Sequence, residues 1–224
     1  AFAEGTFDGQ IAVCERGDIA RVAKGLNVQA GGAAGLVLIN TSEDESIVND
    51  YHAIPAIHMD SVQGQQLVDW LSSGENHQAS ISGSSLFSNP DAADIAADFT
   101  SRGPEPIFNQ YLAPHIAGPG VDIYAASAQY TQAYSAGAGE DKSYMFMSGT
   151  SMSSPHVAGA LTLIASLKPD WTPAQVQSAV MMTAHFDTTD HLGAASDFFD
   201  AGAGSIRIDK ALNAGLVMDI TYDE

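Results

Sequence analysis

The sequence predicts an α/β chain in two regions, residues 1–84 and 85–224. Three observations carry that prediction. Short apolar runs alternate with helix-spaced segments through the first region. The second region passes from a short strand through a glycine turn into a helix, and a further helix with explicit start signals follows. The chain has 224 residues, 45% of them hydrophobic and 8% aromatic, which is a globular balance with room for a sizeable core.

In the first region the strand candidates are "IAVCE" (11–15), "GLVLIN" (35–40), "AIPAIHM" (53–59) and "QASIS" (78–82). Between them, "IARVAKGLNVQAGG" repeats Val22, Leu26 and Ala30 at i, i+4 and i+8, with Gly31 and Gly32 as a stop signal. In "SVQGQQLVDWLSSG", Val62, Leu67, Trp70 and Leu71 form a looser apolar face that ends at Gly74. The polar, Pro-punctuated "GSSLFSNPDAADIAADFTSRGP" then reads as a linker into the second region. There "LAPHIAGPGVDIYAAS" turns from loop to strand, and 127–143 are small and Gly-rich enough for a surface loop. "SYMFMSGTSMSSPHVAGALTLIASLKPDW" supplies the strand, turn and helix. In the last helix Thr172 caps, Pro173 fills the first turn and Gln175 completes a capping box, with Val176, Val180 and Thr183 on the inner face and Ala179 between.

Composition excludes several function classes. The net charge of −19, from 27 acidic and 8 basic residues, cannot assemble the cationic surface that nucleic acid requires. It reads instead as a strongly hydrated acidic surface, suited to an extracellular or salty setting. No apolar run reaches the roughly 18 residues that span a bilayer. The opening "AFAEGTFDGQ" reads as the start of a processed chain. Cys14 is the single cysteine, so no internal disulfide forms, and its apolar run suits an inert, buried thiol. His52 and His58 read as ordinary strand or surface residues. "SEDES", "NPDAAD" and "DTTDHLGAASD" lack the spacing of a calcium loop and read as solvated acids.

The chemistry is concentrated in "FMSGTSMSSPHVAG", 146–159. A serine at a strand-to-helix turn projects its hydroxyl into a cleft, beside first-turn N–H groups that lack intrahelical partners. The helix N-terminus favours developing negative charge, as an oxyanion hole requires. Pro155 fits only near the helix start, which places the reactive end close to Ser151. Ala158, Gly159 and Ala160 suit a tightly packed core helix, so a buried small-residue helix with a Ser-rich cap fits the spacing equally well.

"GTSMSSPHVAG" resembles the serine signature of subtilisin-like serine proteases, and it has company. "FTSRGP" and "LAPHIAGPGVDIYAA" precede it in the family's order, and "KPDWTPAQVQSAVMMTA" and "FDAGAGSIRIDKALNAGLVMD" follow. Upstream, "GQIAVCERGD", "VQAGGAAGLVLIN" and "IPAIHMDSVQGQQLVDWL" resemble a protease-associated domain, clipped at its N-terminus relative to the family. The resemblance implies part of a doubly wound parallel-sheet domain at 85–224 and a small α/β protease-associated domain at 1–84. It makes Ser151 the acylating nucleophile, its backbone N–H one oxyanion donor, and Met152 an oxidation-sensitive neighbour. His156 matches the family's structural histidine. Five residues along a helix turn it about 500° from Ser151, away from a base's position. Ala113, His115 and Gly118 depart from the family's "KPDIxAPG" pattern.

The family's Asp, His and oxyanion Asn motifs do not occur in this sequence, and the resemblance places them upstream of residue 1. The expectation is therefore the C-terminal part of a secreted endopeptidase, inactive alone. Its partners would be a peptide or protein substrate and the missing N-terminal part of the catalytic domain, with self-association a further expectation. No cofactor is expected, although relatives often bind structural calcium. Two other readings stand beside this one. The first is a non-catalytic protease-associated binding module or pseudoenzyme, and the second a complete hydrolase using His115, His185 or His191.

Overall fold

A computed structural model of the protein describes residues 2–83, 88–107, 111–127 and 144–219. The chain divides into two compact units, one of residues 1–88 and 122–147, the other of 89–121 and 148–224. The loop expected at 127–143 lies, apart from its first residue, outside the described residues.

The first unit is built on a parallel sheet in the order β1 (Ile11–Glu15), β2 (Gly35–Ile39), β3 (Ala56–Met59). Val13, Val37 and Ile57 are in register across it. All five residues of β2 are buried, as a central strand covered on both faces requires, which is why "GLVLI" is continuously apolar. The strand expected at 53–59 shortens to β3. Pro55 has no N–H to give, but its carbonyl accepts from Leu36 at 2.9 Å and leads the strand into register.

Helix α1 (Arg21–Ala30) connects β1 to β2, and its inner face is rotated from the expected one. Val28 is fully buried against Ala12, Ala33 and Leu36, whereas Val22 and Leu26 are half-buried and Ala30 is exposed. The 40–55 connection reaches α1 at Gly25, where a Cβ would stand 2.4 Å from His52 Nδ1, so burial centres on Gly25 and Val28. Helix α2 (Ser61–Ser72) starts where the Asp60 side chain accepts from Gln63 N at 2.7 Å. Gly64 brings it onto β2 at Ile39. That close approach leaves Leu67 and Val68 half-buried and Val62, Trp70 and Leu71 exposed, contrary to the expected face.

The strand expected at 78–82 is not formed. Ile81 instead packs its Cδ1 over Gly35 at the start of β2. An antiparallel ribbon of β5 (Ile123–Ala126) and β6 (Tyr144–Met147) belongs to this unit, with Tyr124 opposite Phe146.

The second unit holds a two-residue parallel pair, β4 (Ile95–Ala96) with β7 (Thr189–Asp190), and the helices α3 (Thr150–Leu167), α4 (Pro173–Met182), α5 (Phe198–Ala201) and α6 (Ile208–Ala211). Its core joins Ile164, Val176, Val180 and Ala211, with Leu161, Trp171 and Ile206 against it. The capping box forms in full: Thr172 Oγ1 accepts from Gln175 N at 3.2 Å, and Gln175 Oε1 accepts from Thr172 N at 2.9 Å. Val176, Ala179 and Val180 are buried as expected, and Thr183 is half-buried. Parallel pairing between helices in both units makes the chain α/β.

Candidate active site

The turn that carries Ser151 is fixed from below by a glycine loop. Gly149 is the N-cap of α3, at φ 156° and ψ 162°, a conformation that side-chain-bearing residues rarely adopt. Its carbonyl accepts from Met152 N at 2.9 Å and Ser153 N at 3.2 Å, which starts the helix. Its own N–H donates to Gly120 O at 2.8 Å. The Ser153 hydroxyl donates to Gly118 O at 2.9 Å, so two bonds tie the first turn to residues 118–120. Gly120 allows the approach, since a Cβ there would stand 3.0 Å from Gly149 O. Ser151 itself is exposed at the head of the helix, where the peptide dipole presents its positive end. Pro155 is the sixth residue of α3, inside the helix, and has no N–H to give to the Ser151 carbonyl one turn back.

No imidazole is hydrogen-bonded to the Ser151 hydroxyl among the described residues. His156 is exposed, and its Nδ1 lies 2.8 Å from Met152 O one turn back, so it is tethered to the helix backbone. His115 is exposed in the loop before Ile116, where its carbonyl accepts from Ala203 N at 3.0 Å. His185 Nε2 is 3.9 Å from Asp94 Oδ2, and His191 is exposed in the turn after β7. The described residues contain no group of three or more His, Cys, Asp or Glu side chains able to hold a metal.

An open cavity of about 860 Å³ lies beside this turn within the second unit. Phe99, Ile116, Val121, Val157 and Leu161 give it an apolar wall, and Gly149, Thr150 and Ser153 border it, but Ser151 does not. The cavity therefore flanks the Ser151 turn without enclosing the hydroxyl.

Two ion clusters frame this unit. Arg207 Nη2 is ion-paired with Asp94 Oδ2. Burial raises the Asp94 carboxyl, but hydrogen bonds from Arg207 and Ser205 and the nearby charges of Arg207 and His185 outweigh it and hold the group below the usual carboxylate range. Arg102 pairs with both Asp197 and Asp200, whose carboxylates cap α5. The hydrogen bond from Arg102 leads in lowering the Asp197 carboxyl. Neither cluster was marked by sequence spacing, because Asp94 and Arg207 are 113 residues apart. The 118–120 clamp was not marked either: the sequence showed a glycine turn before the helix and a loop at 114–120, but nothing that paired them.

A family model described as "Subtilase family" matches residues 10–204. Subtilisin-like protease SBT1.6 of Arabidopsis thaliana is 36% identical over 225 residues, covering 96% of this chain and 30% of that protein. Subtilisin-like protease SBT5.4 of the same plant is 37% identical over 221 residues, covering 95% of this chain and 28% of that protein. Among solved structures, fervidolysin from Fervidobacterium pennivorans aligns with 45% of this chain and 15% of its own at 27% identity, with a TM-score of 0.34. The chain thus spans about 30% of the length of the curated relatives it matches.

Proposed function

The chain belongs to the subtilase family, and from that premise we propose that it is the nucleophile-bearing part of a secreted subtilisin-like serine endopeptidase. Ser151 attacks the scissile carbonyl and forms the acyl-enzyme, and its own backbone N–H donates to the oxyanion. The observation that carries this is the seat of Ser151: exposed, on the first turn of α3, and held by Gly149–Gly120 and Ser153–Gly118 bonds. One such oxyanion donor is typically worth about 2.7–4 kcal/mol of barrier.

The base, its orienting carboxylate and the second oxyanion donor are supplied by a segment outside residues 1–224. The residue types of α3 support this. Its 18 residues include no Asp, Glu, Lys or Arg, and only Ala160 and Ile164 are buried. A helix with no charged residue and so little of its length buried suits a larger core, so the exposed side with Leu163 (46%) and Leu167 (56%) is where the remainder of the catalytic domain docks. Residues 1–84 form a protease-associated module, built on the β1–β2–β3 sheet. The substrate is a peptide or protein, and the chemistry uses no cofactor.

The test compares a relative-length protein with the 224-residue chain. A serine-reactive fluorophosphonate labels Ser151 in the longer protein, and labelling of the isolated chain is at least a hundredfold slower (about 2.7 kcal/mol). Ser151→Ala abolishes both labelling and peptide cleavage. Cleavage that survives this substitution overturns the assignment, and its absence from an otherwise intact long protein identifies a pseudoenzyme or binding module.

A further inference from the structure

The connection from β2 to β3 is a 16-residue strap, 40–55, with no helix or strand of its own. Loops of that length in a compact domain usually carry function. This one is pinned at both ends and in the middle by titratable groups. At its start Asn40 is 3% exposed and sends Nδ2 to Glu45 O at 2.6 Å. Arg16, just past β1, reaches Ser46 O at 3.0 Å and pairs with Glu45. Farther along, Arg21 of α1 pairs with Asp50. Between these, Asn49 donates its N–H and its side-chain amide to the two carboxylate oxygens of Asp122, at 3.3 and 2.9 Å, beside the first residue of β5.

His58 of β3 is the keystone. Its Nε2 is 2.7 Å from Asn40 Oδ1, and its Nδ1 is 3.2 Å from Val48 N and 3.1 Å from Val48 O. The amide oxygen of Asn40 can only accept, so Nε2 carries the hydrogen. A neutral ring then uses its bare Nδ1 to accept from Val48 N–H, with Val48 O facing the same nitrogen. Protonation exchanges the bond from Val48 N–H for one to Val48 O, and it sets a second cation on Asn40 Oδ1, which Arg16 Nη1 already approaches at 3.4 Å, so charge repulsion and burial are what oppose it. Six residues back, His52 lies over Gly25 of α1 with its Nδ1 buried and unbonded among the described residues. The charges facing this pair of rings are Arg16, Arg21 and Asp50, and a charged His58 would also oppose protonation of His52. Glu45 is already committed to Arg16 and to the Thr41 and Ser42 amides, and Asp50 to Arg21.

We propose that strap 40–55 is an acid-released clasp, closed while His52 and His58 are neutral and opened when they take up protons, which frees the β5–β6 ribbon from Asn49. Burial leads in holding both imidazoles below their ordinary value, against the opposing pull of Asp50 on His52 and of the Val48 hydrogen bond on His58. A depressed folded value means that the stabilisation is complete above the ordinary imidazole value of about 6.5. It is lost as pH falls from there through the folded values. The clasp is therefore shut at neutral pH and yields in mild acid, independently of whether Ser151 is a nucleophile.

The test is amide hydrogen exchange in the 224-residue chain, read by NMR as protection factors corrected for intrinsic rate, from about pH 7.5 to about pH 5. Protection at Val48 and Asn49 falls by up to about tenfold per pH unit for each histidine, while Val37 in central β2 stays constant. His58→Gln and His52→Gln each remove part of the fall, and the double variant flattens it. A flat wild-type profile overturns the clasp, as does an undiminished fall in the double variant. Should His58→Gln fail to fold, direct titration of the two imidazoles in the wild type decides. Titration of both below the ordinary value supports the clasp, and either ring titrating above it overturns it.

Discussion

Gly64→Ala tests the seating of α2 on the first sheet, and its sign discriminates between two opposed effects. Gly64 lies inside α2 at ordinary helical φ, so propensity alone favours alanine by about 1 kcal/mol. Against that, a Cβ there would stand 2.7 Å from Ile39 Cβ and 3.0 Å from Ile39 Cγ2. Carbon atoms rest at about 3.5–4.0 Å, so the helix must lift by roughly 1 Å. The obstructing Cβ is attached directly to a buried central strand and cannot swing aside as a side-chain end would. Overpacking of this kind costs about 1–3 kcal/mol, and lifting α2 also loosens Leu67 and Val68 over Ile39. We expect the upper part of that range less the propensity gain, a net loss of about 1–2 kcal/mol. The assay is urea unfolding followed by Trp70 fluorescence in a Trp171→Phe background, since Trp70 sits on α2 itself. With an m-value of about 1–1.5 kcal/mol/M the midpoint drops by about 1 M. An unchanged or higher midpoint would refute the argument, because propensity would then have won and the close approach would carry no energy.

Two further predictions concern the second unit. Thr172→Ala removes the capping-box acceptor of α4 and the donor to Asp219 Oδ1 at 3.0 Å, and should cost about 1 kcal/mol in urea unfolding, whereas Thr172→Ser retains most of it. Asp94, held below the usual carboxylate range, contributes stability above the ordinary aspartate value that is lost as pH falls through its lowered one. Asp94→Asn should therefore weaken the unit at neutral pH but flatten its acid transition below about pH 4, as followed by circular dichroism.

Where local chemistry decides an element, the sequence was sufficient. "DWTPAQ" specifies α4 through a hydroxyl, a proline and an amide within four positions, and all three act as the residue types require. "GLVLI", a strand candidate from its apolar run, is the strand buried on both faces. Where tertiary contact decides, periodicity misled. Val22, Leu26 and Ala30 repeat correctly, but the strap claims Gly25 and rotates the burial to Val28. "QASIS" has strand-like residues but pairs with no strand among the described residues, and Ile81 fills space over Gly35. At the candidate site the seat of Ser151 was legible because a glycine, a proline and small residues prescribe a strand-to-helix turn. The ties that steady the unit around it were not, since Asp94 finds Arg207 and Arg102 finds Asp197 only through the fold.

The same contrast bears on why α3 has the composition it does. Only Ala160 and Ile164 are buried along 18 residues, so the unit gains less from this helix than its sequence offers. Fully burying a leucine is worth about 1.5–3 kcal/mol, and Leu163 and Leu167 stand half-exposed with much of that unspent. A charged residue on those sides would suit a helix that faces water permanently, yet none is present. The apolar faces thus hold in reserve the stabilisation released when a partner segment covers them. Because Ser151 heads the same helix, whatever docks there is fixed relative to Ser151 by a rigid rod and not by a loop. Under the proposed function, assembly of the domain and alignment of its catalytic groups would then be one event, with the clamp of Gly118 and Gly120 holding the Ser151 turn in place beforehand.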